Sequence, residues 1–216
     1  MTEELLNDYI EAHIGAEPEI LHRLYRQTHL TRLYPRMCSG HAQGRLLAMF
    51  TRMIRPHRIL ELGTFTGYSA LCFAEAMPEG CSIDTVEVDP EYADELRELF
   101  ASSPRGADIR LHIGDAKELI DPIMSQGEPV DMVFIDADKR VYSAYYEAVM
   151  RHLRPGAFIL ADNTLWDGKV IDESARDPQT EGIRSFNDLV AADSRVEKAI
   201  IPIRDGLTLL QVISFK

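Results

Sequence analysis

Two stretches of this chain run from apolar residues straight into hard oxygen donors. Val130-Asp131-Met132-Val133-Phe134-Ile135 leads into Asp136-Ala137-Asp138-Lys139, and Gly156-Ala157-Phe158-Ile159-Leu160-Ala161 leads into Asp162-Asn163. Short apolar runs with β-branched residues read as buried parallel strands. If the two strands are neighbours, their ends stand about 4.8 Å apart, and Asp136 and Asp162 open onto one crevice. Together with the side-chain carbonyl of Asn163 they offer three hard oxygens, a set suited to Mg2+ with its other positions left to water or substrate. Ca2+ or Mn2+ could take its place, whereas zinc is poorly matched. Either aspartate alone would more commonly cap a helix; the triplet points to a metal site. Lys139, three residues past Asp136, reaches the same pocket. An ammonium is disfavoured beside a dication, so the free amine becomes a candidate general base. The competing reading is a surface lysine paired with Asp138 or Asp136.

A second set of residues points to a cofactor. Arg58-Ile59-Leu60-Glu61-Leu62 reads as the first strand, followed by Gly63-Thr64-Phe65-Thr66-Gly67-Tyr68-Ser69 and a helix through Ala70, Leu71, Phe73 and Ala74. A strand, a glycine-bearing turn and a helix start bring backbone N–H groups close to a ligand. The spacing is GxxxG rather than the GxGxxG of dinucleotide enzymes, and a plain tight turn is the alternative. The second strand, Ser82 to Val88, carries Glu87 near its end, 24 residues after Gly63. A carboxylate there is placed to accept from ribose hydroxyls. Capping the next helix is the rival role for Glu87, and Asp89 fills it better. The third strand, Asp108 to Ile113, ends in Gly114-Asp115-Ala116, where Asp115 either meets an adenine amine or caps the following helix.

These ends need a frame. Helices are expected over Tyr92–Phe100, Lys117–Met124 and Tyr142–Leu153, with a last one carrying Ile183, Phe186, Leu189 and Val190 inward. From Thr2 to about Ile54 the pattern is helical, with Pro18 in a first turn and a loop at Tyr34 to His41. Residues 164–182 read as a long loop, a candidate lid. Strands at Ala199 to Ile203 and Leu207 to Ile213 flank Arg204-Asp205-Gly206, an Asp-Gly hairpin signal that ends the sheet antiparallel. The alternation predicts a doubly wound α/β sheet with its crevice at the strands' carboxyl ends.

The 216 residues suit a single domain, and no apolar run reaches the length of a membrane span. The N-terminus lacks the features of a signal peptide, so a cytoplasmic location is expected. Cys38, Cys72 and Cys81 form no CxxC pair and are expected to be reduced bystanders. The net charge of −12 disfavours non-specific nucleic-acid binding. Residues 1–58, however, carry eight arginines against six acids, which leaves −14 for the remainder. That segment is the face for any anionic partner, although a solvated helix surface is the simpler reading.

Leu60-Glu61-Leu62-Gly63-Thr64-Phe65-Thr66-Gly67-Tyr68-Ser69, Phe134-Ile135-Asp136-Ala137-Asp138-Lys139, Asp162-Asn163-Thr164-Leu165-Trp166-Asp167-Gly168 and Asp205-Gly206-Leu207 resemble the cation-dependent S-adenosylmethionine O-methyltransferases of the caffeoyl-CoA and catechol type. The resemblance runs from about Met37 to the C-terminus. It implies a Rossmann-like sheet of seven strands with the last antiparallel, a core over 56–216 and a helical segment over 1–55. It implies that Asp136, Asp162 and Asn163 hold the metal and that Lys139 is the base. It places Glu61, Gly63, Thr64, Ser69, Glu87, Asp115, Ala116 and Asp138 on the S-adenosylmethionine side, with Met37 closing over the cofactor, and implies a homodimer. One departure is Gly156-Ala157 where the family has Gly-Gly, and the first 36 residues match no signature. The expected acceptor is an aromatic vicinal diol. Hydroxylated uridine in tRNA, or S-adenosylmethionine binding without catalysis, are the rivals.

Overall fold

The computed structural model describes residues 3–214. Met1 and Thr2, where the helical prelude was expected to begin, lie outside them. Helices α1 (Glu3–His13), α2 (Glu19–Thr31) and α3 (Gly40–Ile54) precede β1 (Arg58–Leu62). The chain then alternates: α4 (Tyr68–Ala76), β2 (Ser82–Glu87), α5 (Ala93–Ser102), β3 (Ile109–Ile113), α6 (Ala116–Met124), β4 (Met132–Ile135), α7 (Tyr142–Met150), β5 (Phe158–Asp162) and α8 (Pro178–Ala192). Strands β6 (Val196–Ile201) and β7 (Leu207–Val212) complete one sheet of order β3-β2-β1-β4-β5-β7-β6. β1 to β5 are parallel, and β7 runs antiparallel between β5 and β6.

Every residue of β1 and β4 is buried, as strands covered on both faces must be. Alternate side chains enter two cores. Leu60, Leu62, Val133 and Ile135 meet α6, α7 and α8, while Ile59, Met132 and Phe134 meet α4 and α5, with Leu21 of α2 and Leu47 of α3 in the same cluster. Phe134 stands edge-on to Phe73 at 5.4 Å, and Tyr142 edge-on to Phe186 at 5.5 Å, a geometry aromatic quadrupoles favour.

At the amino ends of the strands, buried Asp84 accepts from Arg58 Nε (2.7 Å) and Arg110 Nε (2.9 Å) and contacts His112 Nε2 (2.8 Å). Although burial opposes its charge, these partners hold its carboxyl well below the usual range. Arg58 also reaches the carbonyls of Ile123, Gln126 and Glu128, tying the α6–β4 connection to the sheet. Breaking such a pair costs about 3–5 kcal/mol, and the cluster serves the fold, at the end opposite the crevice. Arg32 pairs with Glu95, and Arg45 and Arg52 with Glu75. Half of the eight N-terminal arginines are thus committed within the fold.

Three expectations about local structure shift. The segment read as a lid, 164–182, holds a 3-10 stretch at Trp166–Ile171, and α8 starts at Pro178. Asp177 caps α8 by accepting from Thr180 N, with Pro178 at the first helical position, a start signal present in the sequence. β6 begins at Val196 instead of Ala199, because an exposed edge strand tolerates the polar Glu197 and Lys198. The β6–β7 turn is five residues long and takes its left-handed positions at Arg204 (φ 48°) and Gly206 (φ 86°), so it is not a two-residue Asp-Gly turn.

Candidate active site

β1 has β2 on one side and β4 on the other. The chain leaves through β3 and returns at β4, so a crevice opens at the carboxyl ends of β1 and β4. β4 and β5 pair in register with Ile135 opposite Ala161, which brings the following residues, Asp136 and Asp162, level. Lys139 follows in a 3-10 turn capped by Asp138. Its Nζ donates to Asp136 Oδ1 (2.5 Å) and to the Tyr142 hydroxyl (2.7 Å). The lysine side chain is only 10% exposed, so it is paired with Asp136 but is no surface group. The Tyr142 hydroxyl lies 3.1 Å from the carbonyls of both Ile135 and Asp162, joining the ends of β4 and β5.

Asp162 is buried, with Oδ2 accepting from Gln43 Nε2 (2.7 Å) and Oδ1 from the Asn163 amide (2.8 Å). Burial, and then the charge of Asp136 beside it, pushes its carboxyl up to about 6. Asn163 sits in the left-handed region at φ 58°, which Asn tolerates better than most residues. Its Nδ2 faces Asp205 Oδ2 at 3.5 Å. Among the described residues no cluster of three His, Cys, Asp or Glu side chains forms a cage for a metal. The donor set here is two carboxylates and an amide, and two neighbouring like charges, one of them buried, are what a hard dication would relieve. The residues therefore fit such an ion.

A pH dependence follows. The charged form of Asp162 is the disfavoured one, since its folded value lies above the ordinary carboxylate value of about 3.9. In EDTA-treated protein this group should therefore add stability as pH falls through about 6. The melting temperature of wild type should rise relative to that of Asp162→Asn as pH falls from about 7.5 to about 5.5. Parallel curves would show that Asp162 does not titrate there.

The residues expected on the cofactor side lie around the neighbouring strand ends. Gly63, at φ 100°, lies where a Cβ would come within 2.3 Å of the Asp136 carbonyl oxygen. α4 starts after Gly67 with no side-chain cap, leaving its first-turn N–H groups available to a ligand. Glu87 accepts from Phe65 N (2.7 Å) and Asp89 N (2.9 Å), which places its carboxylate against the turn, and burial raises it. Glu61 lies beneath the turn, fully buried, and accepts from Ser69 Oγ and Thr85 Oγ1, each at 2.5 Å. Burial pushes Glu61 up to about 8, against the two hydroxyl hydrogen bonds that favour its charged form. Thr64 Oγ1 extends this network to Thr85 at 2.6 Å.

Asp115 caps α6 by accepting from Lys117 N, with buried Ala116 next to it. Asp138 is committed to Arg140, whose guanidinium lies within 2.6 Å and holds its carboxyl below the usual range. Met37 is 55% exposed at the end of a 3-10 turn, Pro35–Met37. The structure thus gathers Asp136, Lys139, Asp162 and Asn163 at one point and Gly63, Glu87 and Thr64 beside it. Glu61 and Ser69 lie one layer down, bonded to each other.

Sequence reasoning missed Gln43, Tyr142, Arg204 and Asp205. Tyr142 had a signal, the i, i+3 spacing from Lys139. Gln43 had none, since it lies 119 positions from the carboxylate it touches.

Comparison with known proteins identifies the family. An O-methyltransferase family profile matches residues 11–213, reaching further back than the Met37 at which the sequence resemblance began. A catechol O-methyltransferase from Niastella koreensis is 34% identical over 173 residues, covering 77% of this chain and 78% of the relative. A caffeoyl-CoA O-methyltransferase from Stellaria longipes is 30% identical, covering 76% and 72%. The crystal structure of the O-methyltransferase TomG from Streptomyces achromogenes, involved in tomaymycin synthesis and in complex with SAM, superposes with a TM-score of 0.91 at 29% identity, covering 99% of this chain and all of that one. With its seven-stranded sheet, its site at the β1/β4 crevice and this match over nearly its whole length, the chain belongs to the O-methyltransferase family that includes the catechol and caffeoyl-CoA enzymes.

Proposed function

We propose that the protein transfers a methyl group from S-adenosylmethionine to one hydroxyl of an aromatic vicinal diol, assisted by a divalent cation held by Asp136, Asp162 and Asn163. The observation that carries this reading is the carboxylate pair at adjacent strand ends, Asp162 buried and Asp136 partly so, with Lys139 bonded to Asp136. A cation such as Mg2+ at that position would supply positive charge favouring the ionised form of an acceptor hydroxyl. The protein's own groups do the rest. Asp136 and Tyr142 hold Lys139 Nζ at the crevice floor, where as a free amine it can take the hydroxyl proton. The Gly63 turn and Glu87 hold the cofactor, and the β5–α8 segment covers the acceptor.

The partner is a small molecule. On the helical segment, Leu5, Tyr9, Met49 and Met53 are all more than half exposed, a pattern that supports burial of this face in a homodimer. Three unpaired, buried cysteines fit a reducing, cytoplasmic setting. No helix among the described residues is long and apolar enough to cross a membrane.

The test is a mass-spectrometric screen with labelled S-adenosylmethionine against catechols, caffeoyl thioesters and hypomodified tRNA. Methyl uptake by a diol, abolished by EDTA and restored by Mg2+, is the expected result. Uptake by tRNA alone would establish the nucleic-acid rival. Tight cofactor binding with no turnover would establish a binding protein, and turnover indifferent to EDTA would remove the cation.

A further inference from the structure

The carboxylate of Asp162 is aimed by residues from two distant parts of the chain. Arg204, in the β6–β7 turn, donates from Nη1 to Gln43 Oε1 (3.0 Å), and Gln43 Nε2 donates onward to Asp162 Oδ2 (2.7 Å). The direction of this relay is fixed. A guanidinium only donates, so the amide oxygen of Gln43 must face Arg204 and its NH2 group must face Asp162. Gln43 is 1% exposed, so water does not substitute for either contact. Since the Asn163 amide holds Oδ1, both oxygens of Asp162 are constrained.

The same guanidinium grips the loop carrying Met37. Arg204 Nη2 donates to the Arg36 carbonyl (2.8 Å), and Nη1 to the carbonyls of Cys38 (2.9 Å) and Ser39. The carbonyls on both sides of Met37 are therefore held by the group that orients Gln43. One anchor serves the loop over the cofactor and the ligand of the cation.

We propose that Gln43 and Arg204 are positioning residues that set the direction of the Asp162 carboxylate and couple cation binding to cofactor binding. The proposal rests on the cation reading of the site. Residues that orient a metal's ligands typically change its affinity 10–100-fold when removed. Here the coupling would arise because one discrete arrangement of Arg204 satisfies both sites.

The experiment measures Mn2+ affinity by electron paramagnetic resonance without acceptor or methyl donor, and S-adenosylhomocysteine affinity by calorimetry with and without Mn2+. Gln43→Met keeps the side-chain length and removes both hydrogen bonds. It should raise the Mn2+ Kd about tenfold or more and leave S-adenosylhomocysteine binding in EDTA unchanged. Arg204→Met should weaken both and abolish the effect of Mn2+ on S-adenosylhomocysteine binding. The double variant should bind Mn2+ no more weakly than Arg204→Met, because both act through one path.

Mn2+ binding unchanged in a folded Gln43→Met protein overturns the relay while leaving the cation reading intact. Wild type that binds no Mn2+, or Asp162→Asn that binds it equally well, overturns both. If Arg204→Met does not fold, Arg204→Lys decides the coupling. Its donors sit on a single nitrogen, which cannot reach the Arg36, Cys38 and Ser39 carbonyls and Gln43 together, so it should lose the Mn2+ effect on S-adenosylhomocysteine binding, and retention of that effect counts against the coupling.

Discussion

Lys139→Met is expected to lower kcat by about 10²–10⁴-fold, the range for loss of a positioned proton acceptor, with little change in KM for S-adenosylmethionine. Met matches the stem of the buried lysine but cannot take a proton, and it leaves Asp136 Oδ1 without its 2.5 Å donor. Cation affinity should therefore be kept, since a competitor for that oxygen has gone. Lys139→Arg separates the two roles of the residue. A guanidinium can still pair with Asp136 but is not deprotonated in a protein, so it should be as inactive as Met. Activity within a few-fold of wild type in Lys139→Arg would show that the lysine acts only as a counter-charge. Steady-state kinetics on whichever diol the screen identifies, with Mn2+ affinity alongside, checks both statements.

Gly63→Ala should damage both the fold and the site, because it adds a backbone clash to a left-handed φ. Its Cβ would meet backbone, the Asp136 carbonyl oxygen at 2.3 Å and carbonyl carbon at 2.7 Å, and its φ of 100° is one L residues rarely adopt. Backbone strain of about 1–3 kcal/mol and overpacking of about 1–3 kcal/mol together approach the 5–15 kcal/mol that holds a typical domain folded. Relief can come only by moving the β1 turn away from the end of β4, which displaces Asp136 from Asp162. Gly156→Ala is the control: its φ is 96°, yet a Cβ there meets nothing within 4 Å. The Gly63 variant should lose both S-adenosylhomocysteine and Mn2+ binding and melt well below the Gly156 variant. Indistinguishable melting and binding would refute the close-approach argument.

The sequence made the centre of the parallel sheet legible because β4 and β5 are buried on both faces and so read as unbroken apolar runs. The same property marked the site, since Asp136 and Asp162 stand out against the runs they end. Adjacency of β4 and β5 was an assumption at that stage, and their register confirms it. Where burial is one-sided the signal fades. β6, at the edge, carries Glu197 and Lys198 among its apolar residues, so its start was read three residues late. The hydrogen-bond partners of the site were harder still. Glu61 gives no sign in the sequence that both its oxygens are spent on Ser69 and Thr85, because those contacts depend on the three-dimensional path of the turn. Gln43 sits in an amphipathic helix where a polar residue reads as solvent-facing, and only the packing of α3 on the sheet turns it inward.

The position of β7 bears on how the protein is made. β5, which carries Asp162, pairs on one side with β4 and on the other with β7, the last strand among the described residues. During synthesis every other parallel strand can find its neighbours before β5 does. β5 itself keeps an open, apolar edge until Leu207–Val212 leaves the ribosome and inserts between it and β6. Arg204, just ahead of β7, arrives at the same moment. The nascent chain is thus most exposed to edge-to-edge association in the interval after α8 is made, and the site is completed only when β7 arrives.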